Sequence, residues 1–169
     1  LHDWSYSDPQ AAPQGRIAEP SAVKPEYALL QLGRDSSQFS VIRRSQQVFE
    51  RELSVGLHKL EQEISRRPQQ AAAFADAFHD MVCQEIQRAL QLHASAADPA
   101  EIGTLLLAGP VDKLPMLPAF ISDRLSLAVQ LADPFRAMDY ADAVNEPLLR
   151  ADASSCLVAC GLAMLGAPS

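Results

Sequence analysis

The sequence predicts an α/β domain in which a mixed β-sheet carries helices on its faces, in the order β-β-β-α-α-β-α-β-α. Short apolar segments joined by short polar turns fill residues 27–53. Apolar residues with helical spacing follow, and apolar runs at 104–108 and 127–131 then alternate with helical segments. A strand meander followed by β-α units builds a mixed sheet. This is the element order of a ribonuclease H-like half.

The first three strands are expected at residues 27–32, 39–42 and 48–53. The connections 33–37 and 43–46 are short and polar, and such close connections favour an antiparallel meander.

Two helices are expected next. Leu57, Leu60 and Ile64 share one face of a helix that Ser54 could cap and that Pro68 must end. A longer helix spans roughly 70–94, and its apolar stripe predicts that it covers a sheet: Phe74, Phe78, Met81, Val82, Ile86, Ala89 and His93.

The second half begins with a continuous apolar run at 104–108, which is typical of a strand covered on both faces. Residues 117–125 are expected to form a helix and 127–131 another strand. The apolar segment 156–165 contains Gly161 and several alanines, which favour a close-packed helix over a last strand.

Composition excludes several classes of protein. The chain has 169 residues, 48% of them hydrophobic, so it can form a core and is not wholly disordered. A formal net charge of -7 argues against nucleic acid as a partner. No apolar run approaches the roughly 18–20 residues of a membrane span. Residues 1–25 are rich in proline and are interpreted as a linker that leads into a domain at 26–169. A chain that starts at Leu1 is interpreted as a piece of a longer protein.

No catalytic motif is present: the sequence lacks a Walker A pattern, a nucleophile elbow and a dinucleotide fingerprint. His79 and Cys83 lie four apart on one predicted helix, near Asp76 and Asp80, but a metal normally needs three or four converging ligands. We therefore expect no catalytic residues and no metal. Three cysteines without a disulfide pattern favour a reducing, cytoplasmic location.

Two predicted turns are candidate ligand sites. Residues 33–37 join the first two strands, and backbone amides and hydroxyls in such a turn can hold a phosphate, although a simple polar hairpin turn is favoured by composition. Gly109 and Pro110 follow a buried strand, the usual position of ligands in open α/β sheets. Pro110 has no amide donor, which weakens a ligand role there.

The C-terminal third resembles PilM, the actin-like family of type IV pilus assembly. The order and spacing match the family pattern "LAGG…LPGL…VADPF..M…DAP.LLVACGLAL", and an earlier stretch is similar to the family's "VDIGASMTTLSV". The resemblance covers about residues 27–165. The segments that carry it are 30–41, 105–110, 114–117, 131–135 with Met138, and 152–164.

The resemblance implies the second half of an actin-like fold, in which two ribonuclease H-like domains clamp ATP and Mg²⁺ between them. The family's acidic residue of the phosphate turn falls on Gln31, and the second glycine of its adenosine-side turn falls on Pro110. Gln31 cannot supply the charge that holds hydrated Mg²⁺. The segment near Arg67 and Gln70 also looks shortened against the family. The nucleotide site that the resemblance implies is therefore predicted to be vestigial, at Gly33, Arg34, Asp35, Ser36, Ser37, Gly109 and Pro110.

The first functional hypothesis that follows from the resemblance is a non-catalytic scaffold without a cofactor, at the cytoplasmic face of the bacterial inner membrane. It would link inner-membrane pilus proteins to the cytoplasmic machinery. The implied partners are the cytoplasmic N-terminal segment of a PilN-like protein and other pilus assembly proteins, with self-association left open. The alternatives are a nucleotide-binding ATPase of the same assembly, which would use ATP and Mg²⁺, and the actin-like cytoplasmic domain of a type II secretion platform protein.

Overall fold

A computed structural model describes residues 26–96, 99, 101–136 and 145–166. The predicted linker at 1–25 and Met138 of the family pattern lie outside the described residues.

Five strands form one mixed sheet, in the order β3-β2-β1-β4-β5. The first three pair antiparallel, and β4 and β5 run parallel to β1, which confirms the predicted sheet type. The polar connections at 33–36 and 44–45 are short enough to require antiparallel neighbours. The strands are β1 (Glu26–Gln31), β2 (Ser37–Arg43), β3 (Gln46–Leu53), β4 (Thr104–Ala108) and β5 (Ala128–Leu131).

Five helices accompany the sheet: α1 (Leu57–Arg66), α2 (Ala71–Ala94), α3 (Leu117–Leu125), α4 (Glu146–Ala151) and α5 (Leu157–Gly166). Within the described ranges the order is therefore β-β-β-α-α-β-α-β-α-α. The predicted order lacked α4, which has six residues and is too short to show a helical period. The sequence marks α4 only by a capping residue: Asn145 occupies its N-cap, and the Asn145 side chain accepts a hydrogen bond from the Leu148 amide at 3.3 Å.

One face of the sheet and helices α1, α2 and α3 enclose the core. Alternate strand residues point into it, as expected for a half-covered sheet. Helix α2 contributes one stripe and α3 contributes Leu117 and Ile121, which fit the spacing of amphipathic helices. The strand residues that belong to this core, all fully buried, are Ala28, Leu30, Phe39, Val41, Leu53, Leu105 and Leu107.

The described residues cover the opposite face of the sheet only in part, whereas β4 was expected to be buried on both sides. Leu106 is half-buried, and with Tyr27 and Leu29 it lines a groove beside Leu157 of α5. A continuous apolar run cannot report this difference, because Leu105 and Leu106 are equally apolar although only Leu105 is fully buried.

Three side chains of α2 differ from their expected setting. Met81 is 46% exposed instead of lying in the stripe, whereas His79 and Cys83 are buried there. His93 is buried and packs its ring edge-on against Phe49 of β3, with 5.5 Å between the ring centroids. The pKa of His93 is lowered by burial and by the nearby charge of Arg43, which fits a neutral core histidine.

Among the described residues, no helix combines the length and the hydropathy that a bilayer crossing would require.

Candidate functional site

The two turns singled out from the sequence lie side by side in the structure. Strands β1 and β4 are parallel neighbours, with Gln31 opposite Ala108. The Leu32 amide extends this pairing by donating to the Ala108 carbonyl at 2.9 Å. The turn after β1 (33–36) and the turn after β4 (109–110) therefore meet at the carboxyl edge of the sheet, where open α/β folds bind ligands.

The buried side chain of Ser37 forms hydrogen bonds that hold the first turn in place. Its Oγ donates to the Val55 carbonyl at 2.6 Å, and the Gly33 amide donates to the same Oγ at 3.4 Å. Both hydrogen-bonding functions of this hydroxyl are thus used by the main chain. Ser37 is the position at which the family resemblance puts a phosphate-contacting threonine, and in this structure it joins the turn to the β3–α1 connection.

The first turn also closes over the N-terminus of α1. The Leu57 amide donates to the Gly33 carbonyl at 3.1 Å, and the His58 amide donates to the Arg34 carbonyl at 2.8 Å. The first amides of a helix have no partner inside the helix and are often available to anions. Here two of them are already paired with main-chain carbonyls, so this helix end is not an open anion cradle.

The expected cap at Ser54 was wrong. Ser54 is exposed, and the N-cap position of α1 is Gly56, which makes no side-chain cap. Gly56 lies so close to the first turn that a Cβ atom would sit 2.4 Å from the Asp35 carbonyl carbon. Only glycine allows this approach, and the approach is what lets main-chain carbonyls replace a capping side chain.

The other predicted residues of the first turn face outward. Arg34 and Asp35 are exposed and Ser36 is half-buried. Gln31, in the position of the family's acidic residue, is half-buried at the end of β1 and carries no charge. No carboxylate therefore stands at residue 31 to hold a hydrated metal ion.

The second turn is closed by a residue that the sequence analysis did not single out. The Gly109 amide donates to the Ser154 carbonyl at 2.8 Å, and Ser154 Oγ donates back to the Gly109 carbonyl at 2.9 Å. The Val111 amide donates to the same Gly109 carbonyl at 2.8 Å, and Pro110 has no amide hydrogen. Residues 109–111 therefore offer no spare amide donor to a phosphate.

Gly109 has a backbone conformation that other residues rarely adopt, with φ +99°. A Cβ atom there would lie 2.3 Å from the Leu32 carbonyl oxygen. Both observations explain why glycine occupies the position at which the two turns touch.

An ion pair bridges the outer side of this edge. Lys113, just after the second turn, contacts Glu61 of α1 with 2.5 Å between Nζ and Oε1. The hydrogen bond and the charge of Lys113 lower the pKa of Glu61, and the same contact raises the pKa of Lys113. Both groups are well exposed, so the pair orients the two segments more than it stabilises them.

The open part of the edge lies beside the end of β5. A groove of about 380 Å³ there is lined by Ala132, Asp133, Arg136, Arg150 and Ser154, among others. Two arginines in one groove are suited to an anion. The only sequence signal for it was that Arg136 follows the 131–135 motif and Arg150 precedes the 152–164 motif.

The side chains of α2 that were weighed as metal ligands, His79, Cys83, Asp76 and Asp80, belong to a buried stripe and its borders. Within the described part of the chain, no group of three or more His, Cys, Asp and Glu side chains could hold a metal ion. Burial raises the pKa of Cys83 to about 11, so its side chain is a thiol at neutral pH, whereas metals bind the thiolate. Burial also lowers the pKa of His79.

Comparison with known proteins identifies similar sequences and structures. The family model described as type IV pilus assembly protein PilM matches residues 73–167. The structure of a PilM–PilN type IV pilus biogenesis complex is similar with a TM-score of 0.75 and 18% identity, over 87% of this chain and 47% of that one. Its likeness shows the fold, an actin-like mixed sheet with helices.

Two more distant structures match as well. The Alp12 filament structure has a TM-score of 0.50 and 10% identity, over 86% of this chain and 50% of that one. The structure of the ethanolamine utilization protein EutJ from Carboxydothermus hydrogenoformans has a TM-score of 0.48 and 11% identity, over 80% of this chain and 49% of that one. The chain thus spans about half the length of each of these solved structures.

Replacing Ser37 by alanine is expected to destabilise the chain by about 1–3 kcal/mol, because it leaves the Val55 carbonyl and the Gly33 amide without their partner. Ser54→Ala is the matched control and should change stability by less than about 0.5 kcal/mol, since Ser54 makes no cap. Urea unfolding of both variants measures the difference. Equal effects would contradict the roles assigned to these two serines.

Gly109→Ala is expected to destabilise the chain by at least about 2 kcal/mol, because alanine is strained at this φ and its Cβ collides with the Leu32 carbonyl. Gly103→Ala adds the same methyl group where nothing lies within 4 Å and should change stability by less than about 1 kcal/mol. Thermal and urea unfolding compare them. A Gly109→Ala variant as stable as the control would refute the close contact between the turns.

Proposed function

Because this chain belongs to the PilM family of type IV pilus assembly proteins, we propose that it acts as a non-catalytic scaffold domain of pilus assembly. In this role it links inner-membrane pilus proteins to the cytoplasmic machinery, at the cytoplasmic face of the membrane. The observation that carries the proposal is the internal pairing at the sheet edge. The amides of Gly109 and Val111 and the hydroxyl of Ser37 all bond to the chain itself.

That pairing bears on nucleotide chemistry directly. Phosphate binding by a turn needs main-chain amides that point at the ligand, and phosphoryl transfer needs a metal ion held by carboxylates. The second turn has no spare amide among residues 109–111, and Gln31 replaces the acidic residue of the family pattern. We therefore propose that the residues of the vestigial site, Gly33–Ser37 with Gly109 and Pro110, shape the sheet edge and do not hydrolyse ATP.

The proposed partner is a PilN-type protein, through its cytoplasmic N-terminal segment. Support comes from the family and from the fold shared with the PilM–PilN complex. Other pilus assembly proteins are further partners in this proposal. The family match is to pilus assembly proteins, so the alternative of a type II secretion platform protein has no observation in its favour.

We expect the protein that carries this chain to bind the N-terminal peptide of the PilN-type protein from the same organism. Fluorescence anisotropy with the labelled peptide should give a Kd on the order of 10 µM or tighter. A peptide of the same composition in scrambled order is the control. The absence of specific binding at several times that concentration would contradict the proposed partner.

One observation favours a nucleotide-binding function as the second candidate: the groove that contains Arg136 and Arg150 lies on the same edge as the two turns. Under the scaffold proposal, titration of the protein with a fluorescent ATP analogue and Mg²⁺ should show no submicromolar binding. If tight binding is found, Arg136→Ala should weaken it under the nucleotide hypothesis. The control variant Arg124→Ala changes an exposed arginine that does not line the groove, and it should leave the affinity for the nucleotide unchanged. That pattern would overturn the scaffold proposal.

A further inference from the structure

A second surface, which shares no lining residue with the groove at the sheet edge, lies between α2 and α3. The two helices pack against each other and leave a groove of about 370 Å³ between residues 72–79 and 116–123. On each helix the lining residues recur at i, i+3, i+4 and i+7, so each contributes one face over two turns. This face spans about 10 Å along a helix axis.

The walls of the groove are low because small residues form them. Ala75 of α2 and Ala119 of α3 both line the groove, and Met116, which also lines it, is 66% exposed. Paired faces with helical spacing and small walls are the shape into which an amphipathic helix lays its apolar stripe. An exposed large apolar side chain beside such a groove is consistent with a docking surface.

The floor of the groove consists of the aromatic rings of His79 and Phe120. The rings of His79 and Phe120 lie against each other with 5.3 Å between their centroids, and His79 is only 5% exposed. Burial lowers the pKa of His79, and the opposing charges of Asp76 and Asp80 do not outweigh it. The imidazole is therefore neutral at physiological pH, and any charge of the groove comes from its rims.

Both rims are acidic. Asp76 lies on the α2 side and Asp123 on the α3 side, and neither has a cationic partner among the residues described. Arg124, which follows Asp123 in the sequence, is paired with Asp80 at 3.9 Å. Carboxylates contributed by both helices beside an uncharged floor are complementary to an apolar stripe flanked by lysine or arginine.

We propose that this groove binds a short amphipathic helix of a partner protein, whose apolar side chains occupy the floor and whose basic side chains pair with Asp76 and Asp123. The site is separate from the sheet edge and does not depend on the proposed function. The occupant is about two to three helical turns long, as the length of the groove requires.

The test uses the ¹⁵N-labelled 169-residue chain and a 14-residue amidated peptide of leucine and lysine, with leucine at i, i+3, i+4 and i+7. Amide signals of residues 72–79 and 116–123 should shift on titration, together with the ring signals of His79. A peptide with glutamate in place of lysine is the control and should produce no shifts.

Variants separate the groove from general attraction to an acidic protein. The double variant Asp76→Asn, Asp123→Asn should weaken binding roughly three- to tenfold, because two rim charges are removed. Glu52→Gln combined with Asp112→Asn removes the same charge from other exposed positions and should leave the affinity nearly unchanged.

Shape is tested by Ala75→Leu, which fills the groove and should weaken binding at least roughly tenfold. Ala73→Leu adds the same bulk to an exposed α2 position that does not line the groove. Urea midpoints of both variants confirm that they fold. Shifts spread over all acidic surfaces, or equal affinities of the two leucine variants, would overturn the proposal. So would groove shifts that appear with protein concentration alone, because they indicate self-association.

Discussion

The parallel pairing of β1 with β4 is the constraint on which the rest of this structure depends. These strands are separated by about seventy residues of sequence, and their pairing places the turns that follow them at one edge. The bond from the Leu32 amide to the Ala108 carbonyl continues the pairing past the last strand residue, which brings Gly109 against the Leu32 carbonyl. The close approach of the two turns follows from strand pairing and not from attraction between their side chains.

The edge that results is rich in polar groups, and several of them are hydrogen-bonded within the chain. Ser37 and Ser154 each connect segments that are distant in sequence. Ser37 connects the start of β2 to Val55, just before α1, and Ser154 connects the C-terminal segment to Gly109, just after β4. A ligand that needed those donors would have to break an internal bond to use them, at a cost comparable to the bond it gained. Beside β5 the same edge carries a groove lined by Arg136, Arg150 and Asp133, which brings charged side chains of both signs next to the two turns.

The strands and most of the helices could be predicted because their positions follow from the spacing of apolar residues, which can be read from the sequence. The ends of β4 and α3 were predicted to the residue, since Gly109 and Pro110 end the strand and the next apolar run begins after Ser126. The roles of Ser37 and Ser154 could not be predicted, because their partners come from tertiary packing and leave no local pattern. The partial exposure of β4 was missed for a similar reason: hydropathy does not report which face of a strand meets a helix.

The capping of α1 by the carbonyls of Gly33 and Arg34 has a consequence for how this turn tolerates sequence change. A cap made by a serine or aspartate side chain ties its function to one residue type, but a main-chain carbonyl is present in every residue. The side chains of Arg34 and Asp35 point to solvent and take no part in the cap. Residues 34 and 35 can therefore be substituted without loss of the turn's geometry, provided that Gly56 remains in close contact with their main chain. The turn can thus keep its structural role, the joining of β1 to the start of α1, whatever side chains it carries at residues 34 and 35.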